Sequence, residues 1–231
     1  MLFRLLRLSL IGVLLCDGSY LAAQSVTVDR QSGIAFPVTI TPPGGGALHQ
    51  LTGTATRERT IFRVKVYAYG LYVDGQSARA VLPTFVGKPA TALEADQTFF
   101  RRLLEMQIAM TLRLIMARDV AGEAIGAAFD DALKPRVARL TQSARDRASV
   151  ALERFRSHFN LNELVRGTEI VFSCGSDGRL NTTVNGQSRP EIQSPELCWA
   201  LFDVYLGEKP ISTTGRRQLV TGFPALLGAP R

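Results

Sequence analysis

Hydrophobic and polar residues alternate along several short stretches of the chain, which is the pattern of half-buried β-strands. The clearest strand is predicted over 60–73, where most residues are β-branched, aromatic or large. Alternation assigns its side chains to two faces: an apolar face with Phe62, Val64, Val66, Ala68 and Tyr72, and a partly polar face with Arg63, Lys65, Tyr67 and Tyr69. We therefore expect a sheet that packs through the first face and leaves the second face partly polar.

Further strands are predicted over 48–57, 105–117, 169–174 and 179–184, the last two joined into a hairpin by the turn 175–178. A helix is the alternative over 105–117. Helices are predicted over 78–85, 91–104, 120–133, 136–159, 194–206 and 213–222, with a division of the helix 136–159 into two pieces around 141–143 as an alternative. Pro135 is expected to break the helical pattern, His158 to cap a helix end at the surface, and Ser194 with Pro195 to begin a helix. Strands followed by mixed helices and a hairpin predict an α+β domain whose open sheet is largely antiparallel and covered by helices.

The N-terminal residues 1–23 have the layout of a secretory signal peptide. Arg4 and Arg7 precede a short apolar run, and Ala22 and Ala23 provide a small-residue cleavage site. The alternative is that the segment is kept as a membrane anchor. We expect cleavage, secretion across the inner membrane of a bacterial cell and a periplasmic location. Residues 24–47 then form an N-terminal extension with a short strand, and residues 48–227 form the main domain.

Two cysteines, Cys174 and Cys198, remain after the predicted cleavage. An oxidising compartment allows them to form a disulfide. Alternatively, they are buried free thiols that behave as small hydrophobic residues. The sequence does not decide between these two states.

Composition limits the classes of partner. Lys and Arg total 27 and Asp and Glu total 20, so the formal net charge is +7. Much of the excess is arginine along 136–156, which predicts a solvated helix face with peripheral contact to anionic lipid as the alternative. We expect no nucleic-acid partner, since no nucleic-acid-binding module is recognisable. Phosphate-binding glycine motifs, a nucleophile elbow and metal-ligand spacings are absent from the sequence, so neither a cofactor nor a metal is expected.

Four motifs in order resemble the chalcone isomerase-like family. In the first, Arg57 precedes a strand with the letters FRVKVYAYGLYV over 62–73. The others are ARDV at 117–120, GTEI at 167–170 with the hairpin after it, and the segment 194–212 with LFDVYLG and PIS. Together they cover about residues 48–227. The resemblance implies an open antiparallel sheet with helices packed against it and a ligand cleft between these layers.

The resemblance also bears on activity, because the family includes true isomerases, fatty-acid-binding relatives and members without known catalysis. Of the isomerase residues, the Arg corresponds to Arg57 and the strand Thr to Tyr67. The catalytic Tyr falls near Ala121, the Asn near Ala128 and the late Ser or Thr at Val204. Side chains of Ala and Val cannot donate a hydrogen bond or order a water molecule. This argues against closure of a chalcone ring.

The fatty-acid-binding relatives keep an Arg and a Tyr at the positions of Arg57 and Tyr67. A guanidinium can bind a carboxylate with two parallel hydrogen bonds, and a phenol adds a third donor. Candidate residues for an apolar tunnel are Phe62, Ile108, Met110, Leu112, Ile125 and Phe129. We therefore predict a protein without isomerase activity that binds a fatty acid or a similar amphipathic carboxylate.

Two other functions remain open at this point. One is an intramolecular lyase or isomerase that acts on a phenolic enone. The other is a structural or interaction protein of the cell envelope, with a filled cleft and a working surface on the arginine-rich helix.

Overall fold

The structure, a computed structural model, describes residues 25–59 and 64–228. The predicted signal peptide, residues 1–23, lies outside the described residues, and so does Phe62. The predicted N-terminal extension is described from Ser25 onward.

The described residues form twelve strands and eight α-helices, and the C-terminal end is helical. The strands are β1 (Val26–Val28), β2 (Ala35–Pro37), β3 (Thr39–Ile40), β4 (His49–Arg59), β5 (Val64–Asp74), β6 (Met110–Met116), β7 (Val120–Ala121), β8 (Glu163–Leu164), β9 (Glu169–Cys174), β10 (Arg179–Val184), β11 (Gln187–Ser188) and β12 (Ile192–Gln193). The helices are α1 (Gly75–Val81), α2 (Ala90–Ala95), α3 (Gln97–Leu104), α4 (Gly122–Val137), α5 (Gln142–Ser157), α6 (Pro195–Leu206), α7 (Thr213–Gln218) and α8 (Phe223–Gly228), with a 3-10 turn at Pro83–Phe85.

One sheet of eight strands dominates the fold. Its order is β11-β10-β9-β6-β5-β4-β3, with β12 paired to β10. Every neighbouring pair in it is antiparallel, so the predicted fold class is confirmed: an α+β fold with an open antiparallel sheet and helices against it. The β9–β10 hairpin and the helix start at Ser194 are also as predicted, because the Ser194 hydroxyl accepts from the backbone N–H of Leu197.

Alternate residues of β5 face two different layers, and the predicted assignment of the packed face was wrong. Tyr67, Tyr69 and Leu71 face the main core beneath the helices, whereas Ala68 and Tyr72 belong to a smaller cluster on the opposite side. We call these sides the cavity face and the outer face. The Tyr67 and Tyr69 rings fit the main core because their carbon skeletons are apolar and their hydroxyls have hydrogen-bond partners.

The N-terminal extension covers the outer face. β1 and β2 form a two-stranded ribbon whose Phe36 is fully buried against the sheet. Asp29 anchors the same segment, because its carboxylate accepts hydrogen bonds from Ser32 and from the Thr56 hydroxyl of β4. These hydrogen bonds together hold the pKa of Asp29 below its usual value, although burial acts in the opposite direction.

The pairing of β4 with β5 contains two irregularities, and each leaves one residue without a partner on the other strand. The first follows Leu51, and there Thr52 donates to the carbonyl of Leu219 at 2.7 Å. Gly53 beside it permits close approach, since a Cβ at that position would lie 1.9 Å from the Gln218 carbonyl oxygen. The second irregularity follows Arg57 and leaves Val66 as the extra residue of β5.

Three details of the helices differ from the predictions. Pro135 does not end α4, because it lies in the last turn and buried Leu133 and Val137 hold the helix on both sides of it. The break falls instead between Val137 and Gln142, so the predicted helix 136–159 begins later, as α5. His158 does cap the C-terminus of α5, but it is buried against Phe155 rather than exposed.

A disulfide joins the sheet to α6. Cys174 ends β9 and Cys198 lies in the first turn of α6, and their sulfurs are bonded with a Cα–Cα distance of 6.0 Å. Both cysteines are fully buried. The bond therefore fixes the start of α6 over the cavity face.

Candidate functional site

A cavity of about 410 Å³ lies between the cavity face, α4, α6 and the loop after α6. Cavities of about 300–1,000 Å³ are typical of small-molecule sites. Its apolar walls come from both layers: Val66, Leu114, Met116 and Ile170 from the sheet, and Ile125, Ala128, Phe129, Ala132 and Val204 from the helices.

Arg57 reaches this cavity from β4, directly opposite Tyr67 on β5. Its Nη1 donates to the carbonyl oxygen of Ile211 at 2.7 Å, and the side chain is partly buried. Among residues 25–59 and 64–228, no carboxylate lies within ion-pairing distance of Arg57. The guanidinium therefore keeps its charge and most of its donors for another partner.

Three tyrosines surround the inner end of Arg57. The Tyr67 and Tyr205 hydroxyl oxygens are 3.3 Å apart, and the Tyr69 ring lies 5.9 Å from the Tyr67 ring and 5.0 Å from the Tyr205 ring. Burial raises the pKa of Tyr67, Tyr69 and Tyr205 above the usual tyrosine value, although the charge of Arg57 acts in the opposite direction. All three phenols stay protonated near neutral pH and can act as donors.

The loop after α6 is held by arginines from both sides of the cavity. Arg57 binds the carbonyl of Ile211, and Arg136 of α4 donates to the carbonyl of Lys209 at 2.7 Å. Arg136 also pairs with Asp203, with 2.8 Å between Nε and Oδ2. The side chain of Arg136 is only 11% exposed, so the predicted solvated helix face does not include it.

The electrostatic balance around the cavity favours an anion. Arg136 of the lining is paired with Asp203, whereas Arg57 has no carboxylate partner among the described residues. Lys209 and Asp131 also line the cavity and carry opposite charges. An anionic group beside apolar walls is therefore the ligand chemistry that this arrangement suits.

Half of the residues predicted for the ligand site and its tunnel meet in this cavity. Arg57, Tyr67, Ile125 and Phe129 line it. Ile108, Met110 and Leu112 instead lie fully buried in the core and do not line the cavity. Whether Arg57 and Tyr67 bind a ligand remains a prediction.

The positions that correspond to isomerase residues also reach the cavity in part. Ala128 and Val204 lie in its wall, whereas Ala121 is exposed and is not part of the lining. The two wall positions present methyl groups where the resemblance implies polar contacts. This end of the cavity is therefore apolar.

Sequence reasoning missed Tyr205, Arg136 and Lys209. Tyr205 follows Val204, which the family motif singled out, so its place on α6 was the available signal. Arg136 offered no signal, because its helical surroundings are rich in other charged residues.

Within the part of the chain that the structure describes, no group of three or more His, Cys, Asp or Glu residues could hold a metal ion. None of the helices in these residues combines the length and the hydropathy needed to span a bilayer.

Comparison with known proteins places this site in context. A family model described as chalcone isomerase like matches residues 47–220. Fatty-acid-binding protein 2 of Arabidopsis thaliana is 29% identical over 199 residues, which are 84% of this chain and 50% of that protein. The chain thus spans half the length of that relative.

Other relatives match along more of their length. Fatty-acid-binding protein 1 of Arabidopsis thaliana is 25% identical over 215 residues, 90% of this chain and 74% of that protein. The chalcone–flavanone isomerase of Hordeum vulgare is 26% identical over 219 residues, 90% of this chain and 92% of that enzyme. Relatives of the chain therefore include proteins named for fatty-acid binding and proteins named as isomerases.

The fold has a counterpart among solved structures. The crystal structure of an Arabidopsis thaliana fatty-acid-binding protein superimposes with a TM-score of 0.75 at 23% identity, covering 88% of this chain and 99% of that one. This similarity shows a shared fold, and the family model covers well over half of the sequence. The chain belongs to the chalcone isomerase-like family.

Proposed function

We propose that the protein binds a fatty acid or a similar amphipathic carboxylate in the cavity, and that it has no isomerase activity. The observation that carries this proposal is Arg57, which enters an apolar cavity beside Tyr67 and has no carboxylate partner in the described residues. Relatives named as fatty-acid-binding proteins support it.

The carboxylate would accept hydrogen bonds from Arg57 and from the Tyr67 hydroxyl. Hydrogen bonds to charged groups contribute about 1.5–3 kcal/mol each. The site is preorganised, because the Ile211 carbonyl fixes the Arg57 guanidinium before a ligand arrives. Binding therefore requires little rearrangement of the head-group contacts.

The hydrocarbon tail would lie against the apolar walls formed by the sheet and α4. Val66, Met116, Ile125 and Phe129 supply much of this surface. Burial of each methylene contributes roughly 0.8 kcal/mol. A ligand with a charged head and a long apolar tail therefore uses both parts of the cavity, whereas a short carboxylate uses only one.

A titration with laurate tests the proposal. Arg57→Ala should lower the affinity at least tenfold, since about 1.4 kcal/mol corresponds to a factor of ten. Arg113→Ala is a matched control, because Arg113 also lies in the sheet but faces Glu169 on the outer side. Laurate affinity that is the same in Arg57→Ala and in the wild type would refute the assignment of Arg57.

The two other functions considered from the sequence receive less support. An isomerase acting on a phenolic enone would need polar groups where Ala128 and Val204 present methyl groups to the cavity. An envelope protein with a purely structural role would be expected to have a filled cleft, but a cavity lies beside Arg57. Stereoselective turnover of a chalcone well above the spontaneous rate would favour the enzyme over the binder.

We also propose that the protein works in the periplasm after removal of residues 1–23. The signal-like N-terminus and the Cys174–Cys198 disulfide support this location, because disulfides persist in oxidising compartments. Mass spectrometry of the protein purified from its own cells would test it. A mass that includes residues 1–23 would contradict cleavage.

A further inference from the structure

We propose that Tyr205 is a positioning residue that directs the Tyr67 hydroxyl proton toward the ligand. This inference rests on the proposed function of the cavity and extends it to a residue that does not itself need to touch the ligand. It follows from the burial of two phenols and from the partners available to each hydroxyl.

The Tyr205 hydroxyl has a single hydrogen-bonding partner among the described residues. The residue is 1% exposed, and its ring packs 5.0 Å from the Tyr69 ring. Tyr67 Oη, at 3.3 Å, is the hydrogen-bonding partner of its hydroxyl in the described structure. A buried O–H group without an acceptor is strongly unfavourable. Tyr205 is therefore the donor and Tyr67 the acceptor.

Tyr67 differs from Tyr205 in burial: both residues line the cavity, but Tyr67 is only partly buried. Once its oxygen accepts from Tyr205, its own proton is free to point into the cavity. Arg57 lies directly across the strand pair, so both groups can donate to the same head group. A carboxylate has only acceptors and matches this arrangement.

The separation of 3.3 Å is longer than the 2.7–2.8 Å typical of hydroxyl pairs. This hydrogen bond can therefore shorten when Tyr67 donates to a ligand. Donation from Tyr67 to an anion makes its oxygen a better acceptor for Tyr205, so the two bonds strengthen each other. Tyr205 should therefore affect affinity through Tyr67 alone.

A double-mutant cycle tests this coupling with laurate as the probe. Tyr205→Phe keeps the ring that packs on Tyr69 and removes only the hydroxyl. We expect it to weaken laurate binding about threefold to tenfold, the range of one neutral hydrogen bond. In a Tyr67→Phe background the same change should have no further effect, because there is no hydroxyl left to direct.

Tyr72→Phe is the matched control. It removes a buried hydroxyl from the same strand as Tyr67, but on the outer face and away from the cavity lining. It should leave laurate affinity unchanged. Thermal unfolding of each variant shows whether the fold is intact.

The results separate this inference from the proposed function. Laurate binding that depends on Arg57 but is unchanged by Tyr205→Phe would overturn the role of Tyr205 alone. An equal loss from Tyr205→Phe with and without the Tyr67 hydroxyl would also overturn it, since that is the signature of a structural effect. Failure of the wild-type protein to bind laurate would overturn both proposals.

Discussion

Arg57 and Arg113 lie in the same sheet but on opposite faces, and they have different partners. Arg113, on the outer face, pairs with Glu169 at 2.5 Å and lies over the Phe36 ring. Arg57, on the cavity face, binds one backbone carbonyl and has no carboxylate beside it in the described chain. The outer arginine is neutralised by the protein, whereas the inner one keeps its charge available.

The polar groups of the two faces show the same difference. On the outer face His49, Thr111 and Ser173 form a buried chain in which each hydrogen bond is internal. On the cavity face the Tyr205–Tyr67 pair ends at an open cavity. A closed network stabilises the fold, and an open one can bind a ligand. The variants below test whether stability and binding separate in this way.

The largest effect is expected from Phe36→Ala on the outer face. Phe36 is fully buried between the N-terminal ribbon and the sheet, so its truncation should lower the free energy of unfolding by about 3–5 kcal/mol. Laurate affinity should not change. Phe129→Ala, in the cavity wall, should instead alter both stability and affinity. Chemical denaturation and laurate titration measure the two effects, and a loss of affinity in Phe36→Ala would contradict the separation.

The next effect concerns the link between the sheet and α6. Replacing Cys174 and Cys198 by Ala removes a disulfide that closes a loop with a sequence separation of 24. The expected cost is about 3 kcal/mol of unfolding free energy, from the loop-closure entropy of the unfolded chain. Denaturation of the double variant beside the wild type measures it. If the double variant unfolds at the same denaturant concentration as the wild type, the disulfide does not stabilise the protein by constraining the unfolded chain.

Features set by local sequence were predictable, whereas features set by long-range packing were not. Strand β5 and the start of α6 follow from local signals, namely alternation and the Ser194–Pro195 cap, and both were predicted. The packed face of β5 was predicted wrongly, because alternation defines two faces but does not say which one the helices cover. Tyr205 was missed because its partner Tyr67 lies 138 residues away in sequence. Contacts at such distances depend on how the layers pack.

A smaller effect is expected from Gly215→Ala behind the tyrosine cluster. A Cβ at this position would lie 2.0 Å from Tyr69 Oη, so the ring or α7 must shift. Overpacking of this kind costs about 1–3 kcal/mol. Adding Tyr69→Phe removes the clashing oxygen and should restore part of the lost stability. A double variant that is no more stable than Gly215→Ala would show that the strain lies elsewhere.

The smallest effect is a response to pH on the outer face. Burial lowers the pKa of His49, while nearby Asp74 acts in the opposite direction. The Thr111 hydroxyl donates to Ser173, so the Nδ1 of neutral His49 donates to Thr111. The unfolded chain therefore takes up a proton at a higher pH than the folded one. The stabilisation is complete above the unfolded pKa of about 6.5 and is lost as pH falls from there toward the folded pKa.

Thermal unfolding at a series of pH values measures this loss of stability. His49→Gln should make the unfolding temperature depend less steeply on pH. His158 remains as an internal reference, because burial lowers its pKa as well. Laurate affinity should stay constant over the part of this range in which laurate remains ionised, since the raised pKa of Tyr67 keeps its hydroxyl protonated. The outer face would then respond to mild acid while the cavity does not. An affinity that falls together with the unfolding temperature in the wild type, but not in His49→Gln, would show that the two faces are coupled.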